Sequence, residues 1–502
     1  MNVNPLQTQN IEKPLRFQVL KHIGKLSIAS LIGGIGSFFN NYFAALLLGP
    51  MAWGIWQGTK LVLMYGANLH LGVQNGMHRE LPILRGKKES ARRAIITDVT
   101  FTFSFIVAIV VSVGVLLSTF VVGMSPQLRL SLQFISAMIF FLYINGFYGY
   151  LFRANNEFDI VSKIAVIDGF GNLFSIALIF FFGLLGFLGG QVLRFFIVAT
   201  YSWWKSSYTI RWRWDNTVFK SLTLIGFPIM LLIFANVIFT TIDRLLILKF
   251  LVAESLGLYS LGNLVFAPLL VVFTASNSVM YPRFAERYGE TSDPRSLKRY
   301  IAIPMENLAV LMSILIGSIY LALPFLIRVF LPEYTASTQA VRILIFGLYF
   351  YAITGMASNM LLTINKQVLR LGILLGSALL NLCFSYVALK LGYGIAGVAA
   401  GTSLAYFVFF LISTTLAMQF AHTSLPEIGR LLLRVIGPIF YVGMVIVVLS
   451  IIMPVVSDNL SSMINRTIAE ELIFFGLSSY FIYKIFRGEL VTLLLRRRHI
   501  QK

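Results

Sequence analysis

"LLGPMAWGIWQ", Leu47 to Gln57, returns in degenerate form as "FLVAESLGLYS", Phe250 to Ser260, and both copies lie between long apolar runs. The copies contain almost nothing a catalyst could use, so the repetition needs an architectural reason. Sliding the chain on itself extends the match. At an offset of 203, Gly54-Ile55-Trp56 meets Gly257-Leu258-Tyr259, and the polar pair Asn40-Asn41 meets Asp243-Arg244. At an offset of 209, Asn156 meets Asn365 and Asn172-Leu173 meets Asn381-Leu382. A one-residue slip then lays Gly186 to Gly189 on Gly394 to Gly397. The chain is an internal repeat with a period of about 205 residues.

Composition says where the repeat lives. The 502 residues are 58% apolar and only 12% charged, about half the charge of a soluble domain. A span needs about 20 apolar residues at about 1.5 Å each to cross a hydrocarbon layer of about 30 Å. Fourteen windows satisfy this, beginning near Leu26, Gly54, Ile95, Leu130, Val161, Gly190, Leu222, Gly257, Ile301, Ala336, Leu371, Gly394, Ile436 and Ala469. The fold class is therefore an all-α polytopic membrane protein. The polar stretch from Met1 to Gln18 leads into a full span without a small-residue cleavage site, so the first helix is expected to direct insertion. The single cysteine, Cys383, excludes an intramolecular disulfide and a cysteine-rich metal site, and is expected to pack as a small apolar residue. No metal site and no cofactor are expected.

Placing the N-terminus inside puts 31 of the 40 basic residues on cytoplasmic segments, among them Arg79, Arg85, Lys87, Lys88, Arg92 and Arg93. Both termini are then cytoplasmic. The net charge of +20, with blocks such as "RGKKESARR" and "LLLRRRHIQK", is read as topological, with a secondary attraction to anionic headgroups. No groove-reading module accompanies it, which argues against nucleic acid.

Six spans fit in one period, and an even number returns the chain to its starting side. The copies therefore share orientation, as in transporters whose parallel repeats are related by an axis along the membrane normal. The expected divisions are residues 1–215 for spans one to six, 216–420 for seven to twelve, and 421–502 for a further helix pair with a basic tail. The short repeated segment becomes the outer turn between the first two helices of each repeat, with Gly54 and Gly257 expected at the bend and Trp53, Trp56 and Tyr259 at the interface.

An ionisable group inside a span costs at least about 2.5 kcal/mol on insertion scales and so marks a site. The residues are Lys60, Asp168, Arg194, Asp243, Arg244, Glu306 and Arg342. Lys60 stands opposite Asn263 in the repeat, Arg342 opposite Gln133, and Asp168 opposite Ser377. Lys60, Arg194, Arg244 and Arg342, with Asn40 and Asn41, are candidates for a cationic substrate cavity. Arginine suits bidentate contact with phosphate or carboxylate, and the alternative role for each cation is to snorkel to the headgroups. Asp168, beside Gly169, Gly171 and Asn172, and Asp243 are candidates for coupling or gating.

The segments "LGPMAWGIWQ", "LGVQNGMHREL", "GFPIMLLIFANVIFTTIDRLLILKFLVAESLGLYSLGNLV", "YPRFAE" and "LGYGIAGVAAGTSLAYF" resemble the polysaccharide-specific branch of the multidrug, oligosaccharidyl-lipid and polysaccharide (MOP) exporter superfamily. The resemblance covers almost the whole chain, and its most specific part is the Asp243-Arg244 pair followed by Leu-Gly-Leu-Tyr. It implies two six-helix bundles around a central cavity plus two C-terminal helices, and a rocking cycle. The implied substrate is an undecaprenyl-diphosphate type of lipid-linked oligosaccharide, carried to the periplasmic leaflet of a bacterial inner membrane for O-antigen or related polysaccharide. The implied partners are membrane lipids and the polymerase and chain-length regulator of the same pathway.

The sequence leaves two rival functions open. A cation-coupled drug exporter of the same superfamily would favour an acidic or aromatic cavity. A membrane-embedded polymerase would need catalytic side chains on a large outer loop, and the longest outer segment, about Pro454 to Thr467, is short and bland. No phosphate-binding glycine loop, zinc-peptidase helix or nucleophile elbow occurs in a usable context, so a non-enzyme is expected.

Overall fold

In the computed structural model, which describes residues 5–454 and 459–487, long helices follow one another through short turns. They are α1 (Pro5–Gly66), α2 (Val73–Gly86), α3 (Ser90–Val121), α4 (Pro126–Ala154), α5 (Phe158–Lys205), α6 (Asn216–Phe239) and α7 (Ile242–Phe250). After these come α8 (Ala253–Thr291), α9 (Lys298–Phe330), α10 (Thr338–Thr363), α11 (Gln367–Lys390), α12 (Gly394–Phe420), α13 (Leu425–Ile452) and α14 (Leu460–Arg487). There is no strand among the described residues. The basic tail "LLLRRRHIQK" lies outside them.

Among the described residues, eleven helices are long and apolar enough to cross a membrane. Two of them provide length for two passes each. In α1 the backbone leaves helical geometry at Gly49 (φ 69°, ψ 172°), and in α5 at Gly183 (φ 55°, ψ −132°). The expected fourteenth pass would be α14, which is not among the eleven and carries Arg466, Glu470 and Glu471 near its start. The seventh expected span is split into α6 and the nine-residue α7, with the interruption at Thr240–Thr241.

Helix faces are sorted as a membrane requires. On α3, Ile106, Val110, Val113, Leu117 and Phe120 recur three and four apart and are exposed, while Thr102, Ser104, Ala108, Ser112 and Thr119 are buried. Apolar side chains outside and small or hydroxylated ones inside suit a helix whose solvent is hydrocarbon. Cys383 follows the outer pattern, exposed on α11 and not packed as expected, because an apolar thiol has nothing to gain from burial when lipid is the alternative.

The chain forms two compact units, Met1–Val237 and Ile238–Lys502. In the first, α1 packs along α5, α4 lies against α3 and α5, and α2 joins α3 and α4. A cluster of Val73, Met77, Phe147, Tyr148, Leu151 and Leu222 forms its core. A methyl group at Gly36 would come within 2.5 Å of the Gly169 carbonyl, so α1 and α5 touch backbone to backbone where only glycine fits. In the second unit, α10 packs against α12, α8 and α9, and α11 lies along α12. Helices α13 and α14 dock on α9 through Ile314, Leu321, Val442, Ile446, Leu449 and Phe474.

The repeat is visible in backbone detail. Asn156 and Asn365, matched in sequence, both adopt left-handed geometry (φ 62° and 60°) in the turns before α5 and α11. The next residue closes each turn with the same long bond, Glu157 N–H to the Phe152 carbonyl and Lys366 N–H to the Leu361 carbonyl, both 2.8 Å. Asparagine tolerates that conformation better than other chiral residues.

The outer turn differs from the expectation. The first copy bends at Gly49, followed by Pro50, and its counterpart bends at Leu251–Val252, while Gly54 and Gly257 lie within helix. A positive-φ glycine ahead of a proline at the first helical position is the cheaper place to turn. The aromatic residues of the two copies face the protein interior. Trp53, Trp56 and Tyr259 are all buried, and the two tryptophans pack on Phe187.

Candidate functional site

Each unit holds a polar cluster at the depth of the repeated asparagine and aspartate positions. In the first unit, Asn40 of α1 is buried and donates to the Asn172 side chain of α5 at 3.3 Å. Asn172 in turn donates to the Asp168 backbone carbonyl at 3.0 Å and to its carboxylate at 3.4 Å. Asp168 and Arg194, on the two arms of α5, form an ion pair at 2.5 Å. Arg194 also donates from Nε to Gln191 at 3.2 Å and lies over the Phe195 ring. Its aliphatic stem rests against Gly171, where no side chain intervenes. Two residues expected in separate roles, a coupling carboxylate and a cavity cation, are thus each other's partner. Asn41 is half-buried and donates to the Ser37 carbonyl one turn back at 2.7 Å. Lys60, in the arm of α1 after Gly49, is half-buried and engaged within the protein.

In the second unit, Asp243 of α7 is buried and gathers three donors. These are the Tyr259 hydroxyl of α8 at 2.5 Å, the Thr402 hydroxyl of α12 at 3.4 Å and the Arg244 backbone N–H at 2.8 Å. Thr402 lies 3.1 Å from the Asn381 side-chain oxygen, and Ser385 donates to the same oxygen at 2.9 Å. Asn381 also reaches the Phe239 carbonyl at 3.5 Å, a group left unpaired where α6 ends. Arg244 turns away from its neighbour, as adjacent helical residues must. Its Nη2 donates to Asn263 at 2.6 Å, and its Nε is buried with no hydrogen-bond partner among the described residues.

Arg342 is held elsewhere in this unit. Its Nε and Nη2 both donate to the Tyr320 carbonyl at 3.2 Å, and the guanidinium lies over the Tyr320 ring. Arg244 and Arg342 are therefore engaged by different helices, α8 and α9. Glu306, the remaining intramembrane charge, pairs with Arg434 of α13 at 3.4 Å. The described residues contain no cluster of three histidine, cysteine or acidic side chains that could hold a metal. The oxygens around Asp243 are hard donors carrying a single formal charge, a set suited to a proton or a weakly held alkali cation rather than a transition metal.

Residues 82–337 match the family profile described as "Polysaccharide biosynthesis protein", about half of the chain. The chain belongs to that family. The fold of this family member is that of solved MOP transporters. It superposes on the lipid II flippase MurJ in an inward closed conformation with a TM-score of 0.69, at 16% identity over 92% of this chain and 99% of that one. An outward-facing multidrug resistance MATE transporter gives 0.58, at 17% identity over 82% and 96%. A MOP superfamily transporter from Pyrococcus furiosus gives 0.56 with the same identity and coverage. No protein with curated annotation matches the chain by sequence.

Several members of the family protein's clusters escaped the sequence reading. Tyr259 was assigned to the interface, and Thr402, Ser385 and Gln191 were not singled out. Continuing the Gly186-to-Gly394 offset of 208 would have found one of them, because it lays Arg194 on Thr402. Arg370, at the start of α11 beside Tyr351, is a further cation that the sequence reading did not single out. It is half-buried, with a buried Nε that has no hydrogen-bond partner among the described residues.

Proposed function

We propose that this family member is a flippase that carries a polyprenyl-diphosphate-linked oligosaccharide from the cytoplasmic to the periplasmic leaflet of a bacterial inner membrane. The pathway would be O-antigen or a related surface polysaccharide, the cycle alternating access, and both termini cytoplasmic. The reading is supported by family membership, by a fold shared with a lipid II flippase, and by cations set within apolar helices. The observation that carries it is Arg244. A guanidinium on the short helix α7, within the seventh expected span and with a buried Nε left without a partner, suits an anion, and a diphosphate supplies one. Arg194, whose charge is matched by Asp168, and Arg342, with two donors taken by one carbonyl, have less to offer. In this reading Asp243 is the gating group, since any change in its protonation or ion occupancy alters three helices at once.

The test is transfer itself. Purified protein in liposomes should speed the movement of a fluorescent polyprenyl-diphosphate-linked glycan to the far leaflet, read by a membrane-impermeant quencher. Arg244→Lys should slow it by losing the bidentate fork, and Arg244→Ala should abolish it. No acceleration over empty liposomes by the wild-type protein would refute the proposal. Acceleration of a cationic drug instead would favour the exporter reading.

A further inference from the structure

The last residues of α5 and the connector to α6 form an aromatic and basic segment, "WWKSSYTIRWRWD", Trp203 to Asp215. It holds four of the chain's six tryptophans, and all four are exposed, Trp203 and Trp204 by about 70%. The other two, Trp53 and Trp56, are buried.

The segment does not hang free. Arg211 N–H donates to the buried carboxylate of Asp98 at 2.9 Å and Arg213 N–H to Thr102 Oγ1 at 3.1 Å, both on α3. Alternate residues of an extended chain are about 6.6 Å apart, and residues four apart on a helix about 6 Å, so the two spacings match. The connector is a strap laid along α3. Trp212 packs edge-to-face against Phe101 and Phe105, with ring centroids 5.6 and 5.0 Å away, and Trp214 packs on Phe219 at 5.1 Å. At its start, Tyr208 donates to Glu157 at 2.9 Å, and burial and that carboxylate push the phenol up to about 12, so the donor persists. At its end, Asp215 caps α6 by accepting from Thr217 and Val218 N–H.

Its depth follows from α3. Thr102 to Val121 is the run of about 20 residues that covers a hydrocarbon core, which puts Asp98 and Thr102 at the headgroup boundary. The strap joins two membrane-spanning helices and must lie at a membrane face in either orientation. The Arg211 and Arg213 side chains have no hydrogen bond or ion pair among the described residues, and Lys205 lies over the Trp204 ring at 3.7 Å. Exposed tryptophans at the boundary beside unpaired guanidinium groups match an anionic lipid headgroup layer in both polarity and charge.

We propose that residues 203–214 form a strap that binds anionic phospholipid headgroups and fastens the α5–α6 connector to the membrane surface. Its cytoplasmic location rests on the proposed topology. The headgroup binding does not.

The full chain is reconstituted in phosphatidylcholine vesicles with increasing phosphatidylglycerol, the latter brominated near the headgroup. Quenching of tryptophan fluorescence is then followed. Trp53 and Trp56 give a constant background. Quenching should rise with phosphatidylglycerol content and weaken in high salt. The content at half effect should increase about fivefold or more in Arg211→Gln/Arg213→Gln, while Arg211→Lys/Arg213→Lys stays close to wild type. Neither side chain holds the fold, so the variants should insert normally. If the wild-type response were insensitive to salt, or the glutamine pair matched it, the strap would not be an anionic-lipid site. No transport is measured, so failure here leaves the flippase proposal standing, and failure of transport leaves the strap standing.

Discussion

The clusters around Asn40 and around Asp243 occupy matched places in the two repeats, yet they put their charges on different helices. In the first unit the α1 position is a neutral amide and the ionic groups, Asp168 and Arg194, sit on α5. In the second, the ionic groups are Asp243 and Arg244, and the counterparts of Asp168 and Arg194 are Ser377 and Thr402. The neighbours change in step. Asp243 is served by the Tyr259 hydroxyl, whereas the counterpart of Tyr259 is Trp56, which packs edge-on against Phe187. The backbone also changes, since α1 runs unbroken past Asn40 and the equivalent helix is interrupted at Thr240–Thr241, just before Asp243. One cluster is a closed ion pair that ties the arms of one helix together. The other is a carboxylate at a helix break, held by three helices, with an arginine donor left over.

That contrast can be broken by substitution, and the largest stability effect belongs to the second cluster. Asp243→Ala strands the Tyr259 and Thr402 hydroxyls in a buried site and should cost about 3 kcal/mol or more, read as a fall in melting temperature of the purified protein. Asp168→Ala should cost less, about 1–3 kcal/mol, because its side chain is 38% exposed and the stranded Arg194 can find solvent or headgroups. In a double-mutant cycle, Asp168→Asn and Arg194→Gln should couple, the pair losing less than the sum of the singles. Smallest are the turns that the repeats share. Asn156→Ala and Asn365→Ala should each cost about 1 kcal/mol and by similar amounts, with glycine neutral at both. Unequal costs would mean that the two turns are not equivalent.

Much of this architecture could be read in the sequence because the repeat preserves polar residues where lipid would exclude them. Asn172 and Asn381 were found by offset, and each joins its cluster. The bend at Gly49 is not marked by the repeat, which matches Gly54 to Gly257 and pairs Gly49 with Val252, although conformational freedom is needed one residue before Pro50. The partner of Tyr259 was not legible for a related reason. Tyrosine near a span end ordinarily signals an interface, and only the three-dimensional approach of α8 to α7 gives its hydroxyl a buried acceptor. The pairing of Asp168 with Arg194 depends on how α5 folds back at Gly183, and twenty-six residues of separation gave no periodicity to read. The strap along α3 was invisible because its anchors are backbone N–H groups.

The proposal that the Asp243 cluster serves transport and the Asp168–Arg194 pair serves structure is tested most directly by surface glycan output per inserted protein, measured for Asp243→Asn and for the double variant Asp168→Asn/Arg194→Gln. Asp243→Asn should insert normally and export less than a tenth of the wild-type amount, while the double variant, having lost both charges together, should export at near the wild-type rate. The reverse pattern, with Asp243→Asn exporting fully and the double variant inactive at normal abundance, would contradict the assignment and move the working charge to the first unit.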